Sequence, residues 1–217
     1  MSYHGRVTPG SPDVRELAEL RITKASVGPM DNNAYLLQCL STDELLLIDA
    51  ASQPEVLLAL VGDQPLATVV TTHRHRDHWD ALEAVVAATR ATTVAGADDV
   101  EGIPVATDRP VTDGEVVEVG RCRLEVIHLV GHTPGSIALL YDDPTGAPHL
   151  WTGDSLFPGG VGNTHGDKDN FTSLLNDVET KLFGRLPDET WVYPGHGNDT
   201  TLGTERPHLG EWRERGW

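Results

Sequence analysis

The sequence predicts an α/β fold in which two β-sheets pack against each other and helices cover their outer faces. Runs of residues typical of strands come in groups, and helical stretches separate the groups. The 217 residues are 39% hydrophobic, which is enough for one compact domain with a substantial core. We expect one domain over residues 19–217, after a loosely ordered segment, residues 1–18, that contains Gly, Pro and Ser.

The first half of the chain predicts strands and helices in alternation. Apolar or alternating runs predict strands at 20–27, 34–40, 44–49 and 66–71. Residues 54–61 begin with a proline and read as a helix, because proline is tolerated in the first helical turn. Residues 79–90 place Leu82, Val85 and Val86 on one apolar face, which also predicts a helix.

The second half contains shorter strands and the longest predicted helix. Strands are predicted at 92–95, 103–106, 115–119, 121–130, 136–141, 149–151 and 190–193. A helical turn is expected at 97–100, a glycine-rich loop at 157–168 and the long helix at 170–186. The polar tail, residues 198–217, includes Trp212 and Trp217 and is too short to form a domain alone.

Charge and composition exclude several classes of partner. Asp and Glu number 33 against 16 Lys and Arg, and no basic stripe appears, so binding to nucleic acid or to an anionic membrane is disfavoured. No apolar run reaches the roughly 20 residues of a membrane span, and the first residues do not resemble a signal peptide. We therefore expect a cytoplasmic protein, in which Cys39 and Cys122 stay reduced.

Four potential metal ligands lie within six residues, directly after the predicted strand 66–71. They are His73, His75, Asp77 and His78. Histidine and aspartate suit Zn, Fe(II) or Mn. A single catalytic zinc uses about three protein ligands and keeps one position open, so four ligands are more than one such ion would take.

Three later strand ends each present one more ligand. His132 lies in GHTPGS, Asp154 follows TG, and His196 lies in PGHG. Glycine and proline beside each ligand favour close turns of the backbone. Four strand ends on one rim imply a site for two metals, about 3.5–4 Å apart.

The motif HxHxDH, followed in order by GHTPGS, TGD and PGHG, resembles the metallo-β-lactamase superfamily over residues 20–206. The resemblance implies a four-layer αββα sandwich with metals at one edge of the two sheets. It implies these metal ligands: His73, His75 and His132 for the first ion, Asp77, His78 and His196 for the second, and Asp154 between them. Asp49 matches the buried aspartate of the family and is expected to orient a ligand histidine.

Within this superfamily the chain is similar to the short, single-domain bacterial hydroxyacylglutathione hydrolases (glyoxalase II). The similar stretches are residues 30–37, 153–162 and 194–206. This resemblance implies a thioester hydrolase that acts through a metal-bridging hydroxide, with Asp77 and Asp154 as catalytic residues. It implies two divalent ions, zinc above iron or manganese, and a small-molecule thioester as substrate. The residues we expect to contact that substrate are Asn163, Lys168, Tyr193 and Arg206.

The chain departs from these relatives at two places, and other functions stay open. Asp80 and Ala81 replace two glycines, and residues 162–165 read GNTH where GRTD or GRSD is usual. His165 is equally compatible with a pocket role and a surface role, whereas His128 is expected to be an ordinary strand residue. The alternatives are a persulfide dioxygenase with one Fe(II) on His73, His132 and Asp154, a lactonase or other ester hydrolase or phosphodiesterase, and a non-enzymatic metal-binding protein.

Overall fold

In the computed structural model, which describes residues 3–216, the chain forms two large sheets. The first sheet has seven strands in sequence order. They are β1 (Asp13–Glu16), β2 (Leu20–Val27), β3 (Asn32–Cys39), β4 (Leu45–Ile48), β5 (Leu66–Thr71), β6 (Thr92–Gly96) and β7 (Arg109–Val111). Strands β1 to β4 pair antiparallel, and β4 to β7 pair parallel.

The second sheet has six strands in the order β15-β14-β11-β10-β9-β8. They are β8 (Val116–Val119), β9 (Cys122–His128), β10 (Ile137–Tyr141), β11 (His149–Gly153), β14 (Trp191–Pro194) and β15 (Thr200–Thr201). Strands β12 (Leu156–Phe157) and β13 (Gly160–Val161) form a separate pair. The α-helices are α1 (Pro54–Val61), α2 (Leu82–Thr89), α3 (Lys168–Asp177), α4 (Leu202–Glu205) and α5 (Leu209–Arg215).

Three apolar layers separate four layers of secondary structure. The central layer, between the two sheets, includes Ile22 and Trp151. A second layer joins the first sheet to α1 and α2 through residues such as Leu57 and Val85. A third joins the second sheet to α3 and α5, where Trp212 is buried. The αββα sandwich predicted from the sequence is therefore confirmed.

The edge strand of the first sheet lies later in the chain than predicted. Residues 103–106 are irregular, and the strand forms at Arg109–Val111. Thr93 instead bonds the carbonyl of Ala106 and the carboxylate of Asp108.

The ends of the chain are more ordered than the sequence predicts. Residues 13–16 lie in the segment expected to be loose, yet they pair with β2 as β1. The tail folds into β15, α4 and α5 and buries Trp212. Residues 1, 2 and 217 lie outside the described residues, so the predictions that include them are tested only over the rest.

The long helix and the two cysteines follow the predictions with small differences. The predicted helix 170–186 begins two residues earlier, at Lys168. The Asp167 carboxylate caps this end by accepting from two backbone N–H groups. After Asp177 the helix continues as a π-helix over Val178–Phe183. Cys39 and Cys122 are buried and form no disulfide.

Between residues 3 and 216, no helix is long and apolar enough to cross a membrane.

Candidate metal centre

The cluster begins where β5 ends and the chain turns sharply. His73 and His75 follow the buried end of β5, and a 3-10 helix over Arg76–His78 then turns the chain. The Trp79 Nε1–H donates to the Arg74 carbonyl over 2.8 Å and closes the turn. This geometry directs His73 and His75 to one side of the site and the ligands of the 3-10 helix to the other.

Asp49, at the end of β4, holds both parts of this turn. Its Oδ1 accepts from the Thr72 N–H at 2.7 Å, and its Oδ2 accepts from the Thr72 hydroxyl at 2.8 Å. Its Oδ2 also lies 2.8 Å from His78 Nδ1. Because an ionised carboxylate only accepts, His78 carries its proton on Nδ1 and presents a free electron pair on Nε2. This is the contact that the family resemblance implies for Asp49.

Three more histidines of the cluster, His73, His132 and His196, are fixed through Nδ1. His132 Nδ1 lies 2.8 Å from the Asn163 carbonyl, and His196 Nδ1 lies 2.9 Å from the Met30 carbonyl. His73 Nδ1 lies 3.1 Å from the Thr72 hydroxyl, whose own proton goes to Asp49. Each ring therefore donates from Nδ1 and turns Nε2 into the cluster.

The predicted ligands come together as two sets of three. His73, His75 and His132 form one set, and Asp77, His78 and His196 form the other, with the ligand atoms of each set within 4.8 Å of one another. Within the first set, His73 Nε2 and His132 Nε2 are 3.3 Å apart, and in the second set His78 Nε2 and His196 Nε2 are 3.2 Å apart. Each pair of facing nitrogens can bind a cation once neither nitrogen carries a proton.

Asp154 lies between the two sets. Its Oδ2 is 3.6 Å from His132 Nε2 and 3.4 Å from His196 Nε2, so one oxygen faces both sets. Its Oδ1 is buried, and no described residue donates a hydrogen bond to it. A Cβ on Gly195 would lie 2.1 Å from this Oδ1, so only glycine fits there. The unpartnered carboxylate oxygen and the inward Nε2 atoms fit divalent cations such as zinc, iron or manganese.

The pKa values of the first set favour ligands without protons. Burial, together with the neighbouring His78, holds the pKa of His73 well below its usual range. Burial also lowers the pKa of His75 and of His132. These rings are therefore neutral at pH 7, the form in which imidazole binds a metal.

The second set is biased towards the proton by its carboxylates. Burial lowers the pKa of His78, but Asp49 and Asp154 outweigh burial and raise the pKa to about 10. The pKa of Asp154 is held well below its usual value, against burial, by His196 and His78. A cation that binds here has to displace a proton, so metal affinity in this set falls as the pH falls.

The residues expected to contact substrate are divided between the rim and the interior. Asn163 is exposed beside His132, and Lys168 is exposed at the start of α3. Tyr193 is fully buried between the sheets, where its hydroxyl contacts His149 and Arg15. Arg206 donates to Asp188 and to two carbonyl groups, so the structure brings neither Tyr193 nor Arg206 to the cluster.

Two further residues lie at the site: Asn32, which was not predicted, and His165, for which a pocket role and a surface role were left open. Asn32 donates from Nδ2 to the Asp77 carboxylate over 2.9 Å, which fixes that ligand. The His165 ring lies 6.0 Å from the ring of His75, at the exposed rim. No sequence signal singles out Asn32, because β3 also contains the amides Asn33 and Gln38, and the position of His165 depends on how its loop folds back.

Comparison with known proteins agrees with this geometry. The chain matches the metallo-beta-lactamase superfamily over residues 27–196. It is 38% identical over 167 residues to a hydroxyacylglutathione hydrolase of Polaromonas sp. (strain JS666 / ATCC BAA-500), a match that covers 76% of this chain and 62% of that protein. The chain thus spans about three fifths of the length of that relative.

Two solved structures share the fold at appreciable identity. ETHE1 from Myxococcus xanthus superimposes with a TM-score of 0.78 and 30% identity, over 89% of this chain and 84% of that one. TTHA1623, solved in a di-iron-bound form, superimposes with a TM-score of 0.69 and 32% identity, over 84% of this chain and 96% of that one. On the match over residues 27–196 and the shared fold, the chain belongs to the metallo-β-lactamase superfamily.

Proposed function

We propose that the chain is a two-metal hydrolase that cleaves thioesters of small hydroxy acids. The observation that carries this proposal is Asp154, whose Oδ2 lies within 3.6 Å of one histidine from each ligand set. A carboxylate in that position can contact two cations about 3.5–4 Å apart. The similarity to a hydroxyacylglutathione hydrolase supports the substrate class.

Each cation would be held by three side chains and by Asp154. His73, His75 and His132 would hold the first, and Asp77, His78 and His196 would hold the second. We expect zinc, with iron or manganese as the other candidates, and the similarity to a di-iron-bound structure supports a pair of ions. When bound, such ions supply Lewis acidity and lower the pKa of water to about 7.

The side chains of the site then hold the reactants and accept a proton. Asp77 and Asp154 are partly exposed, so water and substrate reach both carboxylates. Asn32 keeps the Asp77 carboxylate turned inwards. Hydrolysis adds water across the C–S bond and releases a carboxylic acid and a thiol. Because a thiol has a pKa of about 8.5, the thiolate leaves without a strong general acid.

A groove beside Asp77 is a candidate place for the substrate. It has a volume of about 250 Å³, and its walls include Pro29, Met30, Ala51 and Arg76. Arg76 is paired with Asp80, one of the two residues that replace glycines usual in the relatives. Asn163, whose carbonyl bonds His132, and the exposed Lys168 are the polar contacts that we propose for the thiol carrier. Thioesters of different thiols therefore need to be compared as substrates.

The test measures metal content and activity on the same preparation. Protein is purified, its zinc, iron and manganese per chain are determined, and the hydrolysis of S-D-lactoylglutathione is followed by thiol release. We expect two ions per chain and thioester turnover that chelation abolishes and added metal restores. Parallel assays with the lactoyl thioester of another thiol show whether glutathione is the preferred carrier.

A different result would favour the main alternative. One iron per chain, together with oxygen consumption on glutathione persulfide and no thioester hydrolysis, would contradict the proposal and indicate a dioxygenase. Two ions with turnover of a lactone or another ester, but of no thioester, would retain the metal centre and reject the substrate class.

A further inference from the structure

The loop that carries His196 is held from the side opposite the cluster. Asn33 Nδ2 donates to the carbonyl groups of Pro194 and Gly197, each over 2.9 Å. The Tyr35 hydroxyl donates to the Pro194 carbonyl over 2.6 Å. The backbone on both sides of His196 is therefore bonded to side chains of β3.

A fully buried lysine reaches the same loop from β2. Lys24 Nζ donates to the Gly197 carbonyl over 2.7 Å, to the Asp199 carboxylate over 2.6 Å and to the Gly5 carbonyl over 3.0 Å. These three acceptors use all three N–H bonds of the ammonium group. Lys24 lies on the same inner face of β2 as Ile22. Packing alone would give such a position to an apolar residue.

Asp199 collects donors from three parts of the chain. Besides Lys24, its carboxylate accepts from the Tyr3 hydroxyl over 2.6 Å and from Trp191 Nε1 over 2.9 Å. Its backbone N–H donates to Gly5 over 3.1 Å. The Lys24 and Asp199 side chains are 0% and 1% exposed, so the pair is shielded from water. Removing either partner leaves a buried charge without compensation.

We propose that Lys24 and Asp199 are positioning residues that fix His196 against the second ligand set. This proposal rests on the two-metal function, because His196 matters only as a ligand. The Gly197 carbonyl bonded to Lys24 is one residue from His196, and outside the cluster the His196 ring is held through Nδ1 by the Met30 carbonyl. Without the lysine, the loop keeps its fold through Asn33 but loses the bond that sets how far His196 projects.

The experiment compares variants of this pair with a matched control. Lys24→Met and Asp199→Asn each break the pair, and the double variant Lys24→Met/Asp199→Asn removes both charges, so that no charge is left buried alone. Arg206→Met is the control, because Arg206 also bonds two carbonyl groups and one carboxylate, but away from the cluster. Each protein is measured free of metal and then titrated with Co(II).

Two measurements are made on each protein. Hydrogen exchange of residues 194–199 in the metal-free protein reports how firmly the loop is held. The visible spectrum of Co(II) reports the binding of the first and the second ion. We expect the double variant to exchange these amides at least about tenfold faster than Arg206→Met and to bind the second ion at least about tenfold more weakly, while the first ion binds as in the unchanged protein.

The outcomes separate this proposal from the proposed function. If the double variant binds the second ion as tightly as the unchanged protein, or if both ions weaken equally, the positioning role is rejected. If the unchanged protein binds only one ion, the two-metal function fails. In that case hydrogen exchange alone tests the positioning role. Unchanged exchange of residues 194–199 in the double variant rejects that role, and faster exchange supports it.

Discussion

His78 donates its Nδ1–H to the Oδ2 of Asp49 over 2.8 Å, so the residue that follows β4 decides how a ligand on the turn after β5 presents its Nε2. The same carboxylate accepts two hydrogen bonds from Thr72, the residue before His73. One aspartate therefore holds a ligand of the second set directly, through His78, and a ligand of the first set indirectly, through Thr72.

Replacing Asp49 by asparagine should weaken metal binding without unfolding the protein. The amide retains the size of the carboxylate, but it cannot accept all three hydrogen bonds, so Thr72 and His78 lose part of the contact that orients them. We expect a loss of metal affinity of about 10–100-fold. Metal content after dialysis against a weak chelator measures it. Asp63→Asn, an equal charge change at an exposed site, should retain the metal.

Two histidines four residues apart should respond differently to alanine. His132 turns Nε2 into the cluster, whereas the His128 ring bonds the Pro134 carbonyl at 2.7 Å outside it. We expect His132→Ala to lower kcat/KM for the thioester by about a thousandfold or more, because a ligand to a catalytic ion is lost. His128→Ala should keep most of the activity. Equal losses in the two variants would be incompatible with the ligand assignment.

A single methyl group at Gly195 should displace Asp154. A Cβ there would lie 2.1 Å from Asp154 Oδ1 and 2.7 Å from His78 Cε1, so the carboxylate has to move. We expect Gly195→Ala to lose at least one ion per chain while it keeps the circular dichroism of the native fold. Gly210→Ala is the control, because nothing lies within 4 Å of that position and alanine favours the helix. Retention of both ions in Gly195→Ala would show that Asp154 does not need its present position.

Stability should depend on pH through His149, away from the metal centre. Burial, with the charge of Arg15, lowers the pKa of His149 to about 4 from an ordinary value of 6.5. The unfolded chain takes up this proton below pH 6.5 but the folded chain only near pH 4, so stability is complete above 6.5 and falls between these values. The loss attributable to His149 is about 3 kcal/mol.

Urea unfolding of the metal-free protein at several pH values measures this contribution. His149→Gln keeps an acceptor for the Tyr193 hydroxyl but does not titrate. The difference in unfolding free energy between the unchanged protein and this variant should therefore shift against the unchanged protein by about 3 kcal/mol from pH 7 to pH 4. A constant difference over this range would mean that His149 is protonated in the folded protein.

The sequence by itself determined the layers and the composition of the candidate site. Buried and less buried residues alternate in β2, and β5 is a short apolar run. Both patterns are typical of packed strands, and the bounds of both strands match the prediction. The ligands were predictable because each follows a strand within a few residues. The ligands at 73–78 follow β5 of the first sheet, and His132, Asp154 and His196 follow strands of the second sheet. The edge strand β7 was misplaced, because the position of so short a strand also depends on side-chain bonds such as those of Thr93 to Ala106 and Asp108.

Only the tertiary structure decided which residues hold the ligands in place. Lys24 and Asp199 are 175 positions apart in the chain, and no local pattern indicates that they form a buried pair behind His196. In the same way, Tyr193 and Arg206 carry polar groups suited to a substrate, yet the fold uses them in the interior and beside α4. A residue type limits the chemistry that is possible, but contacts distant in sequence decide where that chemistry is used, because they depend on how the sheets and loops pack.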